Sequence, residues 1–302
     1  MITVFGSLNA DLVCRVPQLP VPGETVTGPD YTVVAGGKGA NQALAAARAG
    51  AAVRMLGTVG ADAFAEVALA SLREGGVDLS GIAANGGRTA CAFIAVDAAG
   101  RNLIVVASGA NLETHAGQLA SAGLAAGDLL LLQMEVTHAE NWKAVDLAKA
   151  AGARVVLNLA PAGAVPPETL RKIDFLVVNE TEACQLGEQL GLAERDPQQI
   201  AARLAADFVA HCIVTLGAEG VAAHGAAGHY RLPALPVEVV DTTAAGDAFV
   251  GGFAAALAEG QAMEAALTQG IVAGSLACRT LGAQSSLPTR EEIAAGLTRY
   301  GV

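Results

Sequence analysis

Two glycine-rich runs carry the residues best suited to chemistry in this chain. One is Asp241-Thr242-Thr243-Ala244-Ala245-Gly246-Asp247, which leads into an apolar stretch with Phe249, Phe253 and Leu257 at helical spacing. A turn of this kind at a helix start exposes backbone N–H groups and the positive end of the helix dipole, a combination that suits an anion. Asp247 sits where that anion would lie. Its carboxylate either caps the helix or takes a proton from an attacking hydroxyl, and the motif by itself favours the cap. The other run is Gly36-Gly37-Lys38-Gly39-Ala40-Asn41-Gln42. It is not a P-loop, because Lys38 is followed by Gly39 and the earlier glycine of that motif is missing, and the chain holds no dinucleotide fingerprint. This run either forms a flexible loop with an exposed Lys38 or closes over a small ligand, with backbone amides, Lys38 and Asn41 as hydrogen-bond groups.

Four shorter motifs stand at strand ends or in loops. In Gly6-Ser7-Leu8-Asn9-Ala10-Asp11, extended backbone points Asn9 and Asp11 the same way, a donor and acceptor pair suited to vicinal hydroxyls; an Asx-turn is the plainer alternative. Asn179-Glu180-Thr181-Glu182 follows the apolar run Phe175–Val178, at the strand end where open α/β sheets bind ligands. Glu182 there could hold water around Mg²⁺, or the motif could simply cap a helix. Thr215-Leu216-Gly217-Ala218-Glu219-Gly220 lets a flat ring or a phosphate approach the backbone, or makes a tight turn. The oxygens of Arg279 to Ser286 could hold a bare monovalent cation, though by composition this is only a loop.

The elements that must position these groups alternate. Val53–Val59, Leu129–Leu132, Val155–Leu159, Phe175–Val178 and Ile213–Leu216 read as strands covered on both faces. Asn41–Ala49, Ala63–Arg73, Ala139–Ala151 and Gln198–Ala210 read as helices, with Gly50, Gly75 and Gly152 as stops for the first three. Alternation of this kind implies a mostly parallel sheet with helices on both faces. Two stretches break it: Asp11–Val34, rich in Val, Thr and Pro, and Thr89–Ser108, which reads as a hairpin. Together they imply a small β appendage beside the main sheet. Glu188–Asp196 reads as a solvated loop.

At 302 residues and 53% hydrophobic, the chain can build one large α/β domain, and with 4% aromatics its core is made of Ala, Val, Leu and Ile. A net charge of −11 leaves no basic footprint for nucleic acid. Any phosphate site must therefore be built locally, from amides and a metal ion. Cys14, Cys91, Cys184, Cys212 and Cys278 are scattered, without metal or disulfide spacing, and imply free thiols in a reducing, cytoplasmic compartment. The start Met1–Gly6 reads as a first strand, not a signal peptide, and no apolar run is long enough to span a membrane.

In combination and in order, these motifs resemble the ribokinase branch of the PfkB carbohydrate kinase family, over essentially the whole chain. The residues that carry the resemblance are GSLNAD from Gly6, Pro22-Gly23-Glu24-Thr25, GGKGANQA from Gly36, Asn179–Glu182, DTTAAGD from Asp241 and Gly282-Ala283-Gln284. The resemblance implies a three-layer α/β/α ribokinase-like domain over 1–302, with a mostly parallel central sheet and a β lid formed by about 11–34 and 89–108. It implies an ATP-dependent sugar kinase, acting on D-ribose at its 5-hydroxyl. Asp247 would be the base, with the amides of Ala245, Gly246 and Asp247 as the anion hole. Asn9, Asp11, Gly37, Lys38, Asn41 and Glu135 would contact the sugar. Asn179, Thr215, Gly217, Gly220 and Gly246 would contact ATP, and Glu182 would hold Mg²⁺ through water. Asp241, Thr243, Ala277, Thr280, Gly282 and Ser286 would hold K⁺, and the lid would form a homodimer contact. Two departures stand out: no Pro precedes the final Ser of Gly-Ala-Gln-Ser-Ser, and Val105-Val106-Ala107-Ser108 in the lid lacks the polar residues common there. A kinase of another sugar or of a nucleoside, and a non-catalytic sugar-binding regulator, are the alternatives on the same fold.

Overall fold

The structure is a computed structural model and describes residues 1–301. Its strands, in chain order, are β1 Ile2–Phe5, β2 Asn9–Arg15, β3 Tyr31–Gly36, β4 Val53–Gly60, β5 Asp78–Asn85, β6 Ala90–Val96, β7 Asn102–Ala107, β8 Leu129–Leu132, β9 Arg154–Asn158, β10 Phe175–Asn179, β11 His211–Thr215, β12 Val221–Gly225 and β13 Gly228–Leu232. Nine form one sheet in the order β13-β12-β11-β10-β9-β8-β1-β4-β5. Neighbours run parallel from β5 to β11, and β12 and β13 close the edge as an antiparallel hairpin.

The leucine run of β8 shows why the sheet is central. Leu129 and Leu131 enter one buried cluster with Leu44, Phe253 and Ile271, while Leu130 and Leu132 enter the other with Val145, Leu186 and Leu204. A strand with apolar residues at every position needs cover on both faces. Helices Lys38–Arg48, Ala63–Glu74, Ala245–Ala258, Met263–Ala277 and Arg290–Tyr300 cover one side, and His138–Ala150, Glu180–Gln189 and Pro197–Asp207 the other. The expected three-layer α/β/α class is borne out.

Small residues let three helices of the first layer approach closely. A Cβ on Gly251 would stand 2.4 Å from Ala45 Cβ and 2.9 Å from Gln42 O, and one on Gly252 would stand 2.9 Å from Ala273 Cβ. The helices that begin at Lys38 and at Ala245 are thereby locked together, and each starts in one of the two glycine-rich runs.

The remaining four strands form a second sheet, β3-β2-β6-β7, from the two stretches that broke the alternation. Its register pairs Asn9 with Ala90, Asp11 with Ala92 and Asp11 with Val34, so these share one face. Phe93 and Val105 pair on the opposite face, 51% and 57% exposed.

Some boundaries differ from expectation for local reasons. The helix read from Asn41 begins at Lys38, because Gly37 turns the chain into it at φ 89°. After Glu74 it is Gly76, at φ 74°, that takes the left-handed turn, and Gly75 keeps an ordinary φ of −76°. Glu188–Asp196 is not one loop. A helix runs through Gln189, and Asp196 caps the next helix by accepting from the N–H groups of Gln198 and Gln199 at 3.0 Å each. All five cysteines are free; Cys91 and Cys212 are buried, the other three half-buried.

Candidate active site

Asp247 is the third residue of helix Ala245–Ala258 and is buried. It does not cap that helix. The cap position is Ala244, at φ 59° the one non-glycine residue with a positive φ among the described residues, and no side chain bonds there. Instead the Asp247 carboxylate takes one amide on each oxygen: Asn41 Nδ2 donates to Oδ2 at 2.9 Å and Gln42 Nε2 to Oδ1 at 2.8 Å. The capping reading that the motif favoured is thus set aside by geometry. Of the three amides expected in the anion hole, that of Ala245 donates to Thr242 O at 3.2 Å. Those of Gly246 and Asp247 find no acceptor among the described residues and sit at the positive end of the helix.

Lys38 lies opposite. The Asp247 carboxylate holds its ammonium above the ordinary value; burial opposes this, and Glu135 and Glu182 add to the rise. Glu135, just past β8, is itself pinned: its Oε2 accepts from Ser7 Oγ at 2.6 Å and from the Lys38 N–H at 2.8 Å. Ser7 Oγ in turn accepts from the Gly39 N–H at 3.1 Å. Asn9 Oδ1 accepts from Asn111 Nδ2 at 2.8 Å, and Asn111 Oδ1 accepts from the Leu8 N–H at 3.0 Å.

Asp11 rises from β2 against Gly36, where a Cβ would lie 2.0 Å from its Oδ2. Burial pushes the Asp11 carboxyl up to about 7, with the Glu135 charge adding to the effect. Asp11 Oδ1 and Asn41 Oδ1 are both buried without a hydrogen-bond partner. Two orphaned acceptors, one beside Gly36 and one on the residue that donates to Asp247, are what hydroxyl donors of a small polyol would satisfy.

On the other side of Asp247, a cavity of about 210 Å³ is lined by Lys38, Asn179, Glu182, Thr215 and Gly246. Through Thr215, Thr242 and Gly246 it adjoins a second cavity of about 530 Å³, lined by Gly217, Gly220, Val239, Phe249 and Cys278. Asn179 and Thr215 end β10 and β11; Gly217 and Gly220 turn the chain at φ 55° and 90°. Asn179 and Glu182 form a reciprocal cap: Asn179 Oδ1 accepts from the Glu182 N–H and Glu182 Oε2 from the Asn179 N–H, each at 2.8 Å. The helix-cap alternative is therefore present in the structure. It leaves Glu182 Oε1 uncommitted in the smaller cavity, and burial raises the Glu182 carboxyl against the pull of the Asn179 N–H and Lys38.

The six residues expected around K⁺ lie on the loop before helix Ala245–Ala258 and on the end of helix Met263–Ala277 with the segment that follows it. Asp241 Oδ2 accepts from the Gly282 N–H at 2.8 Å, and Asp241 Oδ1 from Thr243 N–H and Oγ1 at 2.9 and 2.7 Å. Ala277 O accepts weakly from the Thr280 N–H at 3.4 Å, and Ser286 Oγ donates to Ala283 O at 2.8 Å. The donor set is all oxygen, which fits a hard cation.

Sequence reasoning gave no role to Ser7, Asn111, Gln42, Gln133 or Asn158. Gln133 and Asn158 carry one usable signal, a lone amide at the end of a buried apolar run.

A buried carboxylate next to two free helix amides, with a lysine opposite and adjoining cavities behind, is the arrangement of a phosphotransferase that acts on a hydroxyl. The family model described as pfkB family carbohydrate kinase matches residues 1–290, and the chain belongs to that family. It is 39% identical over 300 residues to a ribokinase of Haemophilus influenzae, covering 96% of each chain. A ribokinase structure from Thermotoga maritima superposes with a TM-score of 0.91 at 34% identity, covering 98% of this chain and 99% of that one. An Arabidopsis thaliana ribokinase complexed with ribose and ATP superposes with a TM-score of 0.87 at 31% identity, covering 98% of both.

Proposed function

We propose that this carbohydrate kinase transfers the γ-phosphoryl group of ATP to the 5-hydroxyl of D-ribose. The observation that carries the reading is the placement of Asp247. It accepts from Asn41, whose Oδ1 is a buried acceptor without a partner, and it lines the smaller of the two cavities that run toward Gly217. Ribose and ATP bound together in the Arabidopsis relative support the choice of substrates.

Asn9, Asp11, Gly37, Lys38, Asn41 and Glu135 hold the sugar, and Asn179, Thr215, Gly217 and Gly220 line the nucleotide's path. The hydroxyl proton passes to Asp247 as its oxygen bonds to the γ-phosphorus and the bond to the β-phosphate oxygen breaks, releasing ADP. The free amides of Gly246 and Asp247, with Lys38, offset the charge that develops on the phosphoryl oxygens. Glu182 would hold Mg²⁺ through water, and the ion would supply charge neutralisation at the phosphates. Asp241, Thr243, Ala277, Thr280, Gly282 and Ser286 would hold K⁺ beside the hole. In this reading the chain acts as one body, with the smaller sheet as a lid that excludes water from the site.

Tyr31, Phe93, Leu103 and Val105 share the outer face of the lid sheet and are 59%, 51%, 42% and 57% exposed. A second copy covering that apolar face gives a homodimer. No helix among the described residues is long and apolar enough to cross a membrane.

Coupled ADP release over ribose, 2-deoxyribose, fructose, adenosine and inosine, with and without K⁺, tests the reading. Turnover on ribose that rises with K⁺ is the expected result. Turnover confined to another sugar or a nucleoside moves the substrate, and tight sugar binding without ADP release favours the regulator. Asp247→Asn is expected to keep ATP binding and to lose roughly 10²–10⁴-fold in kcat; wild-type turnover would remove the base.

A further inference from the structure

Behind Asp247 lies a line of buried side-chain amides that none of the roles above uses. Gln42 is fully buried, and its Nε2 donates to Asp247 Oδ1 at 2.8 Å and to Asn158 Oδ1 at 2.9 Å. Its Oε1 accepts from Gln133 Nε2 at 2.7 Å. Gln133 O accepts from Asn141 Nδ2 at 2.6 Å, and Asn158 Nδ2 donates to Val177 O at 3.2 Å. Gln133 and Asn141 are fully buried, and Asn158, 7% exposed, lines the smaller cavity.

An amide has a donor end and an acceptor end, so the line has a direction. Both hydrogens of Gln42 Nε2 are taken, one by the carboxylate and one by Asn158. Turned over, Gln42 would set its oxygen against Asp247 Oδ1 and against Asn158 Oδ1, whose orientation is held by the Nδ2 bond to Val177 O. Buried groups facing like partners are strongly disfavoured, so one orientation survives. Asn41 serves the other oxygen but has its own free Oδ1 at the sugar side. In this arrangement Gln42 meets the carboxylate and not the sugar.

We propose that Gln42, held by Gln133 and Asn158, is a positioning residue for the reaction: it fixes the rotation of the Asp247 carboxylate so that a free lone pair meets the acceptor hydroxyl. The proposal rests on Asp247 as the base, and the variants below separate the two claims. The charged groups that face Asp247 are Lys38 and Glu182, and both stay in place in every variant.

Gln42→Leu keeps the volume and removes the donor. Its kcat is expected to fall about 10- to 100-fold, because a small misplacement of a reacting group costs that much, with sugar and ATP KM within about twofold of wild type. Gln42→Glu sets a second carboxylate against Asp247. The pair then shares a proton, and the acid limb of the kcat profile moves to higher pH. In an Asp247→Asn background, Gln42→Leu is expected to cause no further loss. If Asp247→Asn retains full rate, the base reading fails. If Asp247→Asn collapses the rate while Gln42→Leu and Gln42→Glu keep wild-type kcat and pH profile, the positioning role is overturned. The same follows if Gln42→Leu lowers the rate equally in both backgrounds. Should Gln42→Leu not fold, the near-isosteric Gln42→Glu decides the matter, and an unmoved acid limb overturns the proposal.

Discussion

Sugar affinity is expected to depend on pH through Asp11. Its carboxyl is pushed up to about 7 by burial and by the charge on Glu135, and its Oδ1 has no partner. A sugar hydroxyl donates to a carboxylate, so binding favours the ionised form. At pH 6 about one-tenth of the free protein carries that form, and at pH 8 about nine-tenths, so affinity is expected to rise about tenfold between them. Calorimetric titration of sugar without nucleotide measures this apart from turnover. Repeated in two buffers of different ionisation enthalpy, it also counts protons: close to one released per sugar at pH 6, and close to none at pH 8. Asp11→Asn should bind more weakly and without the slope. A flat affinity from pH 6 to 8, or the same slope in Asp11→Asn, would refute the argument. The linkage to folding has the opposite sign. Because the folded carboxyl holds its proton longer than the unfolded one, the sugar-free protein loses stability as pH rises from about 4 to 7, and bound sugar reverses the loss.

Three other outcomes follow from geometry. Gly36→Ala places a Cβ 2.0 Å from Asp11 Oδ2, so sugar KM should rise about tenfold or more while ATP KM holds; equal KM values would show that Asp11 does not touch sugar. Ala244→Val puts a β-branched residue at φ 59°. Thermal or denaturant unfolding should show about 1–2 kcal/mol lost, with kcat lowered as the amides of Gly246 and Asp247 shift. Asp241→Ala releases Gly282 and Thr243, and K⁺ should then leave ADP release unchanged; retained activation would place the cation elsewhere.

The parts of this fold that were legible in the sequence are those where one residue type answers one physical demand. Leu129–Leu132 could only be a strand covered twice, and glycines at 36 and 37 are required where a carboxylate crowds the backbone and where φ is positive. Asp247 shows the limit. Its motif alone favours a cap, but the helix starts at Ala245 and leaves Asp247 third in it, and its two oxygens are taken by Asn41 and Gln42 from a helix remote in sequence. The Gln42, Gln133 and Asn158 line was hidden for the same reason: its members come from three separate parts of the chain, with Gln133 and Asn158 each a single amide at the end of an apolar run and Gln42 next to Asn41. The edge hairpin β12–β13 was also missed. Its strands are rich in Ala, Gly and His, and pairing with β11 rather than β propensity makes them extended.

The glycine and alanine seam between the two site-bearing helices bears on how this chain tolerates change. Gly251 and Ala45 are close-packed and take no part in the proposed contacts with either substrate, yet they set the spacing between the run that begins at Gly36 and the run that ends at Asp247, while Gly252 and Ala273 seat the second helix against helix Met263–Ala277. A substitution there would leave every contacting side chain intact and still move one half of the site against the other. A saturation map of activity should therefore show a silent stripe of intolerance on the inner flank of helix Ala245–Ala258. The outer faces of helices across the sheet, such as Pro197–Asp207, should accept wide variation. Drift in this lineage is channelled by helix spacing as firmly as by the reacting groups.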